Sequence, residues 1–134
     1  MSYGRKDYFW GVAPEKSVFG ENQTPWFETD SIAVTKRTNT YLIDYDVSAG
    51  YILQVTGFSI NTTIPGLMYC RLYDNDDIIA VYYWDTFVNI LFGEGGNLTI
   101  DPSHQFRVRV YNLDYDLDAP IYVTCYGFLQ QTIV

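Results

Sequence analysis

The chain has one histidine, His104, and two cysteines, Cys70 and Cys125, in 134 residues. A lone imidazole cannot compose a His-rich metal centre. Two cysteines are too few for a disulfide scaffold. Bases are also scarce: eight Lys and Arg stand against sixteen Asp and Glu, for a net charge of −8 and a pI near 4.3. Nucleic acid and anionic membranes both need a basic face, so neither is an expected partner. No apolar run exceeds strand length, so no membrane-spanning helix is expected. Met1 to Asp7 is polar and no apolar stretch follows it, so no secretory leader is expected. Three N-x-[ST] sequons, at Asn22, Asn61 and Asn97, are therefore read as incidental. No Gly-rich loop opens a helix, which removes a phosphate cradle. There is no repeat, no low-complexity stretch and no helix-length amphipathic period.

What the chain does have is aromatic side chains. Thirteen Tyr, eight Phe and three Trp make up 18% of it, a strand-former's composition. The length fits one domain able to bury a core without metal or disulfides. Charge divides the chain. Residues 1–40 carry five bases and five acids, whereas residues 41–134 carry three bases (Arg71, Arg107, Arg109) and eleven acids. The front segment lacks a sustained period yet holds Tyr3, Tyr8, Phe9, Trp10, Phe19, Trp26 and Phe27. Aromatics gain too much from burial to belong in a disordered tail. Residues 1–40 are therefore expected to be an extended arm that docks on the body or on a neighbour, and residues 41–134 a separate β-body.

From Tyr41 onward, short β-type runs alternate with turn signals. Strands are predicted over 41–47, 51–60, 67–73, 78–84, 87–92, 98–100, 105–111 and 121–129. Turns fall at Ser48-Ala49-Gly50, Pro65-Gly66, Asp74-Asn75-Asp76-Asp77, Gly93-Glu94-Gly95-Gly96 and Asp101-Pro102-Ser103. About eight strands at this spacing indicate a sandwich or barrel. Alternation assigns the faces. Phe106, Val108 and Val110 point inward because Arg107 and Arg109 cannot, and by the same parity so do Met68, Cys70, Leu72, Ile121, Val123 and Cys125. The run from Ile78 to Trp84 is apolar on both faces, which predicts a cover for its outer side from the arm or another subunit.

The runs Ala49-Gly50-Tyr51, Val55-Thr56-Gly57-Phe58-Ser59-Ile60, Arg71-Leu72-Tyr73, Phe106-Arg107-Val108-Arg109-Val110-Tyr111-Asn112 and Val123-Thr124-Cys125-Tyr126-Gly127-Phe128-Leu129 together resemble the small single jelly-roll proteins that decorate heads or tip fibres of tailed viruses. The resemblance covers roughly residues 41–130 and contains no catalytic signature. It implies an all-β, single jelly-roll β-sandwich of about eight strands with an extended N-terminal arm. It implies a structural virion protein, a capsid decoration or cement protein, that binds the major capsid protein or neighbouring virion subunits and assembles as a homotrimer. The alternative is a receptor- or carbohydrate-binding head domain of a tail fibre, with a glycan as ligand. The resemblance also implies that the third and eighth predicted strands are neighbours in one sheet. Cys70 and Cys125 would then point inward side by side, and they are read as two free core thiols rather than a bonded pair.

The remaining clusters have plain structural readings. The acidic turn at 74–77 lacks the spacing of a calcium loop and is read as a turn. Asp114, Asp116 and Asp118 are read as a solvated loop, and His104 as an exposed turn residue. Loop carboxylates alone do not specify a glycosidase. No enzyme activity, cofactor or metal is expected. The expected protein interface consists of Phe9, Trp10, Trp26, Phe27, Tyr82 and Trp84. A second candidate surface is an outward patch of Tyr69, Arg71, Tyr73, Tyr122, Thr124 and Tyr126, since Tyr and Arg are enriched at interfaces.

Overall fold

The computed structural model describes residues 22–63, 67–84, 87–92, 96–114 and 116–132. Nine strands follow one another: β1 (Gln23–Val34), β2 (Thr38–Asp46), β3 (Tyr51–Thr62), β4 (Met68–Asp74), β5 (Asp77–Trp84), β6 (Phe87–Leu91), β7 (Leu98–Ile100), β8 (Gln105–Asn112) and β9 (Ala119–Gln131). They form two antiparallel sheets. One has the order β1-β9-β3-β6, with β7 also paired to β3, and the other has the order β2-β8-β4-β5. Most connections cross between the sheets, the exceptions being β4 to β5 and β6 to β7, a wrapping consistent with a jelly roll. The all-β expectation holds, and all eight predicted strands are present within a few residues.

Alternation builds the core. Along β8, the residues Phe106, Val108, Val110 and Asn112 are buried while their neighbours are half-exposed. The inner faces bring together Phe58, Leu53, Ile60, Met68, Leu72, Ile100, Phe106 and Ile121, all essentially inaccessible to water. Each such side chain contributes about 1.5–3 kcal/mol relative to exposure.

The predicted arm is corrected here. Residues Gln23–Val34 are a twelve-residue strand, paired with β9 from Ala119↔Val34 to Gln130↔Gln23. The expected boundary at residue 40 falls inside β2. The cause is that β1 is an edge strand whose residues are mostly exposed on both sides, with only Trp26 and Val34 buried. Its side chains therefore carry no two-residue period, and the ladder with β9 fixes its conformation. Pro25 fits because an edge strand leaves one row of backbone donors unused. Residues 1–21 of the expected arm lie outside the described residues, as do most of the 64–66 and 93–96 turns.

Two glycines in the family-like motifs mark close approaches. Tyr126 lies opposite Gly57, and a Cβ on Gly57 would come within 2.7 Å of the Tyr126 hydroxyl and 2.6 Å of the Ile90 carbonyl. At Gly127 the β9–β3 register shifts, and a Cβ there would collide with the Gln54 backbone carbonyl.

The predicted neighbours of the cysteine strands also need correction. β4 lies between β8 and β5, and β9 lies in the opposite sheet. Cys70 and Cys125 therefore extend into the core from facing sheets, not side by side. Both are buried free thiols. Burial pushes Cys70 up to about 12, against a small opposing effect of a backbone hydrogen bond at Tyr82. Burial, and then nearby charge on Cys70 and Glu28, push Cys125 up as well.

Asn112 ties the sheets together at one end. It is fully buried. Its Nδ2 donates to the carbonyls of Val34 (3.1 Å) and Leu117 (3.0 Å), and its Oδ1 accepts from the Asp114 amide at 2.9 Å. One side chain thus joins β8, the end of β1 and the loop before β9.

Candidate interaction face

The outer face of the β2-β8-β4-β5 sheet collects every arginine of residues 41–134. Arg107, Arg109 and Tyr111 point outward from β8. The register sets Tyr73 opposite Arg107, Arg71 opposite Arg109 and Tyr69 opposite Tyr111 on β4. On the far side of β4, Tyr83 of β5 lies opposite Tyr69, and on β2 Tyr41 lies opposite Arg109. The result is a lattice in which rings and guanidiniums alternate. Tyr69 and Tyr111 stack with centroids 4.3 Å apart and planes within 5°. Tyr83 lies 5.1 Å from Tyr69. Arg71 and Arg109 each sit 5.0 Å from the Tyr111 centroid, and Arg107 sits 4.4 Å from that of Tyr41. Such cation–π contacts are worth about 0.5–1 kcal/mol each at a surface.

The three guanidiniums are not equally neutralised. Arg107 donates to the Asn75 carbonyl at 3.0 Å and reaches Asp76 at 3.4 Å. Arg71 donates to the Tyr111 hydroxyl at 3.1 Å, and Arg109 to Asn39 Oδ1 at 2.8 Å. Among the described residues neither Arg71 nor Arg109 has a carboxylate within ion-pair distance. Both also lie near enough to Tyr73 to favour its ionised form. Burial alone would raise Tyr73, but hydrogen bonds from Arg71, Tyr111 and Arg109, with the charge of Arg109, outweigh it and bring Tyr73 down to about 8.

The expected interface residues fare unevenly. Trp26 and Trp84 are core residues, 6% and 7% exposed, and Trp26 packs edge-on against Tyr45 and Phe106. Tyr82 is half-buried on the inner side of β5, 5.2 Å from Phe58. Inward parity claims Trp26 and Trp84 for the core, while Tyr82 stays partly accessible. Phe27 is exposed on edge strand β1. Phe9 and Trp10 lie outside the described residues. The expected six-residue outward patch is divided: Tyr69, Arg71 and Tyr73 belong to the lattice, whereas Tyr122, Thr124 and Tyr126 lie on the opposite sheet. Sequence reasoning missed Tyr41, Tyr83, Arg107, Arg109 and Tyr111 as members of the face. Matching parity in Tyr69-x-Arg71-x-Tyr73 and Arg107-x-Arg109-x-Tyr111 was the available signal.

The outer side of β5 is uncovered among the described residues. Ile78, Val81 and Tyr83 are exposed there, Tyr83 at 68%. Beside the lattice, Arg37, Thr38, Asn39, Leu67, Tyr111, Asn112 and Leu113 line an open cavity of about 400 Å³. Its aromatic wall, Tyr111, is already stacked on Tyr69, and Asn112 already makes three hydrogen bonds.

The acidic clusters serve the fold. Asp74 Oδ1 lies 2.7 Å from His104 Nδ1, so the imidazole is paired rather than idle. The Asn75 amide donates to the Gln105 carbonyl and its side chain accepts from the Gln105 amide, both at 2.8 Å. Asp114 accepts from the amides of Asp116 and Leu117, and Asp118 from that of Lys36. Among the described residues no cluster of three or more His, Cys, Asp or Glu is placed to hold a metal ion.

No protein-family model matches the chain, and no curated protein matches it. Several solved structures are similar in shape. PirA is 10% identical, with a TM-score of 0.43 over 81% of this chain and 96% of that one. The virus-like particle of extra small virus of the giant freshwater prawn Macrobrachium rosenbergii is 12% identical, with a TM-score of 0.38 over 86% of each chain. VP2 of the infectious bursal disease virus subviral particle is 11% identical, with a TM-score of 0.41 over 92% of this chain and 42% of that one. At such identities and scores, function has to be argued from the chain's own residues.

Proposed function

We propose that this chain is a structural virion subunit of the decoration or cement type, assembling as a trimer and bracing a capsid through subunit contacts. The Tyr–Arg face of the β2-β8-β4-β5 sheet is its contact surface. The observation that carries this reading is that face itself, where Tyr69, Tyr83, Tyr111, Arg71 and Arg109 form an ordered, partly exposed lattice on an otherwise acidic body. Tyr and Arg are the residues that dominate interface energetics. They are already held in place here by stacking and hydrogen bonds, so little side-chain entropy remains to be lost on docking. The virion setting draws on the sequence resemblance to small jelly-roll decoration proteins.

Sedimentation velocity tests the reading. The full chain is expected to sediment at three times its 15.5 kDa mass, and a Tyr69→Ser/Tyr83→Ser chain as a folded monomer. A wild-type chain that stays monomeric at every concentration refutes the trimer. A double variant that still forms it removes the face from the contact.

A further inference from the structure

We infer that Arg71 and Arg109 form a carboxylate-binding fork, and that the carboxylate it takes belongs to a second copy of this chain. The inference deepens the assembly reading above and rests on it.

The two arginines are direct cross-strand partners. Like charges placed opposite one another in a sheet repel. Residues 41–134 contain eleven carboxylates, and among the described ones none approaches either guanidinium. Arg107, two residues along the same strand, does reach one, Asp76. What holds the Arg71–Arg109 pair is uncharged: the Tyr111 ring that both contact, the Tyr111 hydroxyl, the Asn39 amide oxygen and the Tyr73 hydroxyl between them. Each guanidinium has five N–H donors, and these contacts leave several outward. A planar carboxylate is the group that two adjacent guanidinium forks match in charge and shape. The lowered ionisation of Tyr73 is the same field acting on the nearest available acid.

The second copy is the occupant that charge favours. Arg71, Arg107 and Arg109 are the only Lys or Arg in residues 41–134, and all three lie on this face. Elsewhere those residues carry exposed carboxylates, such as Asp101, Asp116 and Asp118, and no Lys or Arg. The contact is then between two different patches, face to acidic flank. Such a heterologous contact closes into a ring when its rotation allows, and a trimer is one such ring. An acidic sugar fits less well. The faces of Tyr69 and Tyr111 are stacked on each other and flanked by guanidinium, which leaves little ring face for a sugar.

Sedimentation velocity of the full chain at low salt, with wild type, R71Q, R109Q, R109K and R107Q, provides the test. R71Q and R109Q are expected to unfold cooperatively as folded chains and to weaken self-association about tenfold or more, the loss of a charge-assisted hydrogen bond. R109K, which keeps the charge without the fork, is expected to lose part of this. R107Q is expected to weaken association less than R71Q or R109Q, because Arg107 already has Asp76 at 3.4 Å. A blocked penta-glutamate peptide should compete and penta-glutamine should not. Wild-type association in R71Q and R109Q, alongside a dissociated Tyr69→Ser/Tyr83→Ser chain, overturns the fork and leaves the face as the contact. A monomeric wild type ends both readings. Equal competition by penta-glutamine overturns the fork. So does saturable binding of sialyllactose that R71Q abolishes in a chain that does not self-associate, which would assign the pair to a glycan.

Discussion

Replacing Asn112 by Ala removes a buried side chain that joins both sheets and the 113–118 loop. Three hydrogen bonds disappear together: those to Val34 O, to Leu117 O and from the Asp114 amide. Each is worth about 0.5–1.5 kcal/mol net. The carbonyl of Val34 is left at a buried position where water does not readily replace the amide. The sum is about 2–4 kcal/mol, a large share of the stability of a domain this size. For a chain of 134 residues that corresponds to about 8–15 °C in melting temperature. Urea denaturation followed by tryptophan fluorescence is a suitable assay, because Trp26 and Trp84 are both core residues. The midpoint should fall with the slope unchanged. Asn39→Ala, at an exposed position, should shift stability by less than about 0.5 kcal/mol. A loss below about 1 kcal/mol for Asn112→Ala would refute its role as the tie between the sheets.

Other consequences are equally specific. Gly127→Ala should destabilise by about 1–3 kcal/mol or more, since the new methyl meets the Gln54 backbone and no flexible side chain can yield; an unchanged urea midpoint would contradict the close approach. Deleting residues 1–30 removes Gln23 to Asp30 of β1 and Trp26 from the core, so the product should lose cooperative unfolding, and a stable, cooperative body would contradict the pairing of β1 with β9. Cys70 and Cys125 should resist Ellman's reagent at pH 8 in the native protein and titrate as two thiols after unfolding, whereas fast native reaction would contradict their raised ionisation. Tyr73 should ionise below the ordinary tyrosine range, with a 295 nm absorbance step near pH 8 that Tyr73→Phe abolishes. A folded-state value below the ordinary 10 means that the native state gains stability as pH rises from about 8 toward 10 and loses that gain as pH falls back through 8. An unchanged absorbance step in Tyr73→Phe would contradict this.

Strand positions were readable wherever one face is buried and the other wet. Phe106-Arg107-Val108-Arg109-Val110 is such a segment, and so is Ile121-Tyr122-Val123-Thr124-Cys125. The strand Gln23–Val34 was not readable, because an edge strand with two exposed sides has no alternation to show. Its long-range ladder with β9, almost a hundred residues away, gives it order. The core positions of Trp26 and Trp84 were misjudged for a related reason: isolated aromatics look like anchors until the sheet that covers them is known. The candidate face was half-legible. Parity placed Tyr69, Arg71 and Tyr73 outward, but which strand lies beside β4 is a property of the wrapping, and only the β8–β4 register brings Arg109 against Arg71.

The Tyr–Arg face as a buried contact is tested most directly by hydroxyl-radical footprinting of the protein in its associated state, read residue by residue by mass spectrometry. In the single chain Tyr83 is more exposed than Tyr122 of the opposite sheet, 68% against 45%. Association through the face should reverse that order, leaving Tyr83 and Tyr69 protected and Tyr122 labelled as in the free chain. Tyr83 labelled faster than Tyr122 in the associated protein would contradict it.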